Sequence, residues 1–371
     1  MPLVFYIKIN YFINRGVTMP SRKKVTLKDI AAMAGCSVGV ISSVLNHSRS
    51  NIVVSAATRN KVEELAASLG YQANYHAQVL HSRRSMTIGL LLNTPDHLGF
   101  WSEFVCGVDQ EVRKGECDLL IIGPSPRLTE VERGVKYLQQ LRIDALIVPG
   151  FIYKHILPEL DKEEETILVV FSNNDDITLP RIEIDPSTGQ KETIEYLYGL
   201  GHRELLWVGI RNGDKVSNPE RTENFRNLIV EYGMKMQEYY VDVPKRAHDF
   251  SEVIEKVRTD MVKMIPTFNP FTAVLAYNET TAFGVQTALK SHGMSVPEDV
   301  SLICFDDIFS ELNQPPLTAI SLNLRQLGSR AAQLAMEMAD NRGKASYRNL
   351  IEWNKTSLNV RKSTAVVKRE G

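Results

Sequence analysis

The stretch AGCSVGVISSVLN, residues 34–46, has the rhythm of a short helix entered through a tight turn. Gly35 is suited to end one helix and Ser37 to cap the next. Working outward, VTLKDIAAMAG places Leu27, Ile30, Ala31 and Ala34 at i, i+3, i+4 and i+7, one face of a preceding helix with Thr26 as its N-cap. The second helix, running to Leu45, turns Val40, Ile41, Val44 and Leu45 toward the first. Downstream, VSAATRNKVEELAASLGY predicts a third helix capped by Ser55, with Val62, Leu65, Ala66 and Leu69 inward and Gly70 at its end. Two short helices across a tight turn, with a third behind them, have the shape of a helix-turn-helix. The exposed face of the second helix carries Val38, Gly39, Ser42 and Ser43, and no arginine, glutamine or lysine.

Charge is distributed unevenly. The net charge of the chain is −1, yet Pro20 to Ser85 holds nine Lys and Arg against three Asp and Glu, which puts +6 there and −7 on the rest. A basic head on an acidic body suits a nucleic-acid-binding module joined to something else. NYHAQVLHS, residues 74–82, is a short uncapped helical candidate, marginal in isolation, that should form only when something holds it.

From Ser85 onward the pattern changes. MTIGLLL, CDLLIIG, DALIVPG, TILVVFS, RIEID, ELLWVGI, YYVDV, TAVLAY and VSLICFDD are short apolar runs separated by helical stretches. This alternation predicts parallel sheets with helices on both faces, and so many runs suit two α/β subdomains better than one sheet. A chain of 371 residues is long enough for two or three domains, and 43% hydrophobic with 23% charged residues is an ordinary globular composition.

Several function classes find no support. Cys36, Cys106, Cys117 and Cys304 lack CxxC spacing, so neither a disulfide framework nor a zinc site is expected, and a reducing cytosol fits. No run is long enough to span a membrane. The opening MPLVFYIKINYFINRGVT lacks a basic region ahead of its apolar part and a cleavage site, which argues against a signal peptide. Residues 1–18 are read as upstream translation or a disordered extension, with Met19 as the start. There is no phosphate loop, HExxH, GxSxG or dinucleotide glycine triplet, so no enzyme chemistry, cofactor or metal is expected.

In order and spacing, VTLKDIAAMAGCSVGVISSVLN, VSAATRNKVEELAASLGY, ANYHAQVL and MTIGLLL resemble the LacI/GalR family of bacterial transcriptional regulators. So do LRIDALIVPG, IEIDPSTG, LGHRELLWVG, AYNETTAFGVQTALKSHGMSVPEDVSLICFDD, PPLTAISLNLRQLG and VRKST. The likeness runs from about Met19 to Thr364. It implies an all-α helix-turn-helix head at about 19–73, a hinge helix at about 74–84, and an α/β body of parallel sheets like a periplasmic binding protein at about 85–368. The first body subdomain is expected at about 85–184 and 316–346, the second at about 185–315 and 347–368. The resemblance also implies a homodimer on double-stranded operator DNA and a small-molecule effector, a carbohydrate or a purine, between the subdomains. The tail after VRKST is too short for a heptad coiled coil, so a dimer without a tetramer module is expected.

Carried over residue by residue, Val38 and Gly39 hold the leading base-reading positions and Ser43 a position that is often arginine. The bidentate contacts of long polar side chains are therefore missing, leaving a thymine-methyl contact from Val38, close approach at Gly39 and single hydroxyl bonds from Ser42 and Ser43. Ser37, Asn46, Thr58 and Asn74 are short polar residues suited to phosphates, although Ser37 and Thr58 serve equally well as helix caps. Ala77 and Leu80 match a minor-groove pair in which a leucine from each subunit wedges a base step. In the body, Phe100 and Trp101 are candidates to stack on a ring, Arg221, Asn278 and Asp306 to bond hydroxyls or ring atoms, with Asp185 behind them and Phe250 at the cleft. Trp101 in the core and Asp306 as a turn cap are the structural alternatives, while Gly201 and His202 read as structural.

Two other classes compete: a solute-binding receptor with the same body, opposed by the basic head and the lack of a secretion signal, and a sugar- or nucleoside-handling enzyme, opposed by the missing nucleophile and metal motifs. If the head reads DNA softly, selectivity leans on how cheaply the operator centre kinks. Leu80→Ala should then cost more operator affinity than Ser43→Ala, a few kcal/mol of unstacking against about 0.5–1.5 kcal/mol for one hydroxyl bond. Binding isotherms on the operator and on versions with an altered central step check this; neutral central changes alongside severe changes under Val38 to Ser43 would overturn it.

Overall fold

The computed structural model describes residues 25–45, 54–69, 71, 84–92, 98–123, 129–140, 142–150, 157–161, 166–172, 176–243, 250–342 and 346–368. Residues 1–18, Asn46, Asn74, Ala77, Leu80 and the Phe100 side chain lie outside them. The chain divides into two units, Met1–Ser85 and Met86–Gly371.

In the first unit, α1 spans Leu27–Ala34, α2 Val38–Leu45 and α3 Ala56–Ser68. Each start is capped as the sequence predicts. Thr26 Oγ1 accepts the Asp29 N–H while the Asp29 carboxylate accepts the Thr26 N–H, a reciprocal capping box. Ser37 Oγ accepts the Val40 N–H at 3.3 Å, and Ser55 Oγ that of Thr58 at 3.2 Å. Gly35 stops α1 in the left-handed region at φ 69°, where a Cβ would be strained. Ile30, Ala31, Ala34, Ile41, Val44, Val62 and Ala66 form the core. Lys61 Nζ donates to the Ala34 carbonyl at 3.1 Å, so one of the head's basic residues closes the end of α1.

The second unit contains two sheets. The first is built from β1 (Thr87–Leu91), β2 (Asp118–Ile122), β3 (Ala145–Pro149), β4 (Ile167–Val170), β5 (Arg181–Asp185) and β12 (Ile351–Lys355), in the order β12-β5-β4-β3-β1-β2, all parallel. The second contains β6 (Glu204–Asn212), β7 (Lys215–Val216), β8 (Lys235–Asp242), β9 (Ala273–Ala276), β10 (Ser301–Phe305), β11 (Thr318–Ser321) and β13 (Ser357–Asn359). Its order is β13-β11-β10-β9-β6, with β7 and β8 both paired to β6; β7 and β13 run antiparallel. All nine apolar runs singled out in the sequence are strands of these sheets.

Strand side chains alternate between two cores. Ala145, Ile147, Leu168 and Val170 enter the core against α4 (Leu98–Lys114) and α11 (Leu324–Asp340). Leu146, Val148, Ile167 and Val169 enter the core shared with α5 (Glu130–Gln139) and α6 (Leu157–Leu160). In the second sheet, Leu206, Val208, Val274 and Leu302 face α9 (Phe250–Met264) and α10 (Glu279–Ser291), and Leu205, Trp207, Leu275 and Ile303 face α7 (Ser187–Gly199) and α8 (Pro219–Glu231).

The chain crosses between the subdomains three times: after β5, between β11 and α11, and between β12 and β13. This corrects the expected boundaries. β11 lies in the second sheet although 316–346 was assigned to the first subdomain, and β12 lies in the first although 347–368 was assigned to the second. The crossings are bonded to one another. Thr356 Oγ1 donates to the Asp185 carbonyl at 3.0 Å and accepts the Gly189 N–H at 3.1 Å. Asn354 Nδ2 reaches the Leu322 carbonyl at 2.8 Å and Asn323 Nδ2 the Lys355 carbonyl at 2.9 Å.

Helices α4 and α11 approach through glycines. A Cβ at Gly328 would stand 2.1 Å from the Phe104 carbonyl oxygen, and one at Gly107 2.1 Å from the Arg325 carbonyl oxygen. Because the obstacle is backbone, no rotamer change relieves it. Gly328→Ala should therefore lower body stability by about 1–3 kcal/mol, even though alanine is the better helix former by roughly 1 kcal/mol. A denaturant midpoint at or above that of the parent would show that the helices are free to separate.

Candidate functional site

On the head, Ser37, Val38 and Gly39 are exposed at the start of α2, and Val38 shows 41% of its surface. Ser42 is half-buried. Ser43, expected on the reading face, is buried with 9% exposed. Helix α2 has only two turns and packs against both α1 and α3, so Ile41, Ser43 and Val44 all turn inward. The hydroxyl to set against Leu80 is accordingly that of Ser42. Thr58 is half-buried, its hydroxyl 2.9 Å from that of Ser55.

In the body, a cavity of about 400 Å³ opens where β4, β9 and β10 end. Five aromatic side chains line it: Phe171, Phe250, Tyr277, Phe283 and Phe309. Its polar lining includes Asn218, Arg221, Asn278, Glu279, Thr280 and Asp306. It lies at the carboxyl ends of parallel strands, where open α/β sheets bind ligands.

Arg221 and Asp306 are the charged pair of this cavity. Arg221, on the first turn of α8, is 9% exposed. Its guanidinium carbon lies 4.3 Å from the Phe305 ring centroid and 5.4 Å from that of Tyr277, and Nη1 donates to the Tyr277 carbonyl at 3.3 Å. These ring faces stabilise the cation with little water. Asp306 follows β10 in the left-handed region, at φ 66°. Its Oδ1 is 3.7 Å from Arg221 Nη2, an ion pair beyond hydrogen-bond reach, and among the described residues this buried oxygen has no hydrogen-bond partner. Burial raises the Asp306 carboxyl above its ordinary value, opposed by the Arg221 charge. Asn278 caps α10: its Oδ1 accepts from the Thr281 N–H and from the hydroxyls of Thr280 and Thr281. Its Oδ1 is thus committed to the helix, leaving the amide Nδ2 for any ligand. Glu279, next in the chain, has Oε1 bonded to the backbone N–H of Ile308 and Phe309 and to the Ser310 hydroxyl. Burial pushes its carboxyl up to about 7 despite these bonds.

Residues 26–74 match the family described as bacterial regulatory proteins, lacI family, and residues 194–364 match the periplasmic binding protein-like domain. The chain thus carries a lacI-type helix-turn-helix and a periplasmic binding protein-like domain. It is a DNA-binding transcriptional regulator with a helix-turn-helix head and a ligand-binding body. Curated relatives include the transcriptional regulator DegA of Bacillus subtilis, 26% identical over 334 residues, covering 88% of this chain and 95% of DegA. The probable repressor ExuR of the same organism is 28% identical over 328 residues, covering 85% of this chain and 91% of ExuR. The repressor PurR of Vibrio parahaemolyticus is 28% identical over 315 residues, covering 84% of this chain and 91% of PurR. Among solved structures, the Lac repressor dimer bound to operator and the anti-inducer ONPF shares the fold with a TM-score of 0.70 at 23% identity, covering 92% of this chain and all (100%) of that one. The regulator CelR in complex with cellobiose aligns with a TM-score of 0.60 at 24% identity over the same shares, 92% and 100%.

Of the expected body residues, Arg221, Asn278, Asp306 and Phe250 meet at the cavity. Two do not. Trp101 is fully buried in the core beside α11, edge-on to Phe104 with centroids 5.1 Å apart. Its position on α4 turns it toward the core shared with α11. Asp185 starts α7 instead: its Oδ1 accepts the Ser187 N–H at 2.9 Å and the Ser187 hydroxyl at 2.6 Å. Phe171, Tyr277, Glu279, Phe283 and Phe309 were not anticipated. Phe171 and Tyr277 directly follow strands, so the strand-end rule applied to every apolar run would have found them. His202 is structural, as expected: Nε2 is 3.1 Å from the Ala365 carbonyl, so it carries the proton, and Nδ1 accepts from the Thr272 hydroxyl. Burial lowers its pKa.

Asp185→Ala should therefore destabilise the body by about 0.5–2 kcal/mol through the lost helix-start bonds while leaving ligand affinity unchanged. Paired unfolding and ligand-titration measurements check this; a lost response at unchanged stability would return Asp185 to the ligand site.

Proposed function

We propose that this chain is a cytoplasmic transcriptional repressor that binds operator DNA as a homodimer and changes its operator affinity when a small molecule occupies the body cavity. The favoured effector is a carbohydrate. The observation that carries this reading is the pairing of the unbonded Asp306 Oδ1 with the Arg221 guanidinium inside an aromatic-lined cavity. An acceptor and a donor held 3.7 Å apart suit the hydroxyls of a sugar ring, whose apolar face stacks on aromatic side chains. A purine is the second reading, favoured by the same five aromatic side chains, which would equally stack on a planar base. The named relatives are regulators, and the chain is read as a non-enzyme.

In this reading Ser37, Val38, Gly39 and Ser42 face the major groove or its phosphates, and Asn46, Thr58 and Asn74 assist at phosphates. Ala77 and Leu80 enter the minor groove at the operator centre. Arg221, Asp306, Phe250 and the Asn278 amide hold the effector, and Phe100 stacks from the first subdomain.

Thermal shift against a panel of sugars and purines identifies a binder, since a ligand selective for the folded state stabilises it by mass action. Arg221→Ala and Asp306→Ala should each weaken that binder roughly 10–100-fold, the loss of about 1.5–3 kcal/mol expected for a charged hydrogen-bonding group. Operator affinity in fluorescence anisotropy should stay at the parental value without effector. Loss of DNA binding by a folded, dimeric variant would overturn the assignment.

A further inference from the structure

In each half of the body a buried glutamate grips the loop that follows a strand at the cavity. Glu183 of β5 accepts the Ser172 N–H at 2.9 Å and also the Ser172 hydroxyl, fixing the chain beside Phe171. Glu279 of α10 does the same with one oxygen: Oε1 accepts the N–H of Ile308 at 3.1 Å, the N–H of Phe309 at 2.7 Å and the hydroxyl of Ser310 at 2.6 Å. Phe171, Asp306, Ile308 and Phe309 all line the cavity, so each grip fixes a segment of its wall.

The grips differ in charge. Glu183 has Arg181 Nε 3.5 Å from its Oε1. Glu279 has no cation bonded to it among the described residues. It faces Asp306 and Asp307, both of like charge, and the buried thiol of Cys304 on β10. The cations near those aspartates are engaged: Arg221 lies 3.7 Å from Asp306, and Arg361 2.8 Å from Asp307. On α9, which packs against α10, Lys256 is paired with Asp260 at 2.9 Å. Among the described residues, a negative charge on Glu279 is thus buried without a counter-ion and compensated by its three donors and the start of α10.

We propose that Glu279 is a positioning residue that latches the Asp306–Phe309 wall of the cavity, and that its deprotonation loosens this wall. The three donors converge on Oε1, so a proton on Oε2 leaves every latch bond in place. Opening the wall hydrates the carboxyl and returns it toward its ordinary value of 4.5, whereas in the closed wall it stands at about 7. A group whose value is raised in the closed state favours that state fully below the lower value and loses the advantage as pH rises through the upper one. The opening constant should therefore climb by up to about tenfold per pH unit between about pH 5 and 7, then level off. The meaning of the latch for regulation rests on reading the cavity as the effector site; the latch itself does not.

Amide hydrogen exchange on the full chain without effector tests it at Ile308 and Phe309, corrected for intrinsic rates, from pH 5.5 to 8. The core amide of Ile303 and the Ser172 amide serve as references. In the parent, protection at Ile308 and Phe309 should fall at least tenfold over this range while both references hold steady. Glu279→Gln keeps the Oε1 acceptor and never carries the charge, so it should be protected at least as well as the parent at pH 5.5, with no fall above it. Glu279→Ala should be poorly protected throughout. A flat parental profile, an unchanged slope in Glu279→Gln, or parental protection in a folded Glu279→Ala would each overturn the proposal. No ligand enters the measurement, so failure of the effector reading and failure of the latch are separate results.

Discussion

The body depends on a chain that crosses three times between two sheets and must satisfy its backbone polar groups at each crossing. The crossings leave the ladders of both sheets, and buried N–H and C=O groups there need partners. Thr356, Asn354 and Asn323 supply them, each bonding the backbone of another crossing. This mutual bonding sets how the carboxyl ends of the two sheets face one another, and with it the walls of the cavity.

Polar and apolar parts of the cavity do different work. The five aromatic side chains offer large rigid surfaces at low entropic cost. The charged groups are held under-solvated: Arg221 by ring faces and a carbonyl, Asp306 at a distance that leaves Oδ1 without a hydrogen bond. A buried acceptor without a donor costs free energy, and in the proposed mode a ligand hydroxyl supplies that donor. In that mode a ligand favours arrangements that bring it within reach of Asp306, as any ligand must to shift a conformational equilibrium.

The head shows how little core a reading helix needs. Seven buried residues from three helices and caps at every helix start hold α2, and its exposed start carries Ser37, Val38 and Gly39. With Ser43 turned inward, direct contact with bases has even fewer side chains to draw on than the sequence suggested. Phosphate register, half-site spacing and DNA deformability therefore carry more of the selectivity in the proposed mode.

Much was legible in the chain itself. The head's caps at Thr26, Ser37 and Ser55, the turn at Gly35 and nine strands followed from local chemistry and periodicity, because each is decided within a few residues. The sequence missed β7, β11, β12 and β13 because they are short or lie at sheet edges. β12 in particular reads IEWNK with Ile351, Trp353 and Lys355 exposed, giving no apolar run to find. Arg221, Asn278 and Asp306 were placed through the family likeness. Tertiary structure alone decided that Trp101 is core, that Asp185 starts a helix, that Ser43 faces inward and that Glu279 latches a cavity wall. Each of these depends on which element packs against that side chain, and packing between distant segments leaves no periodic trace in a single sequence.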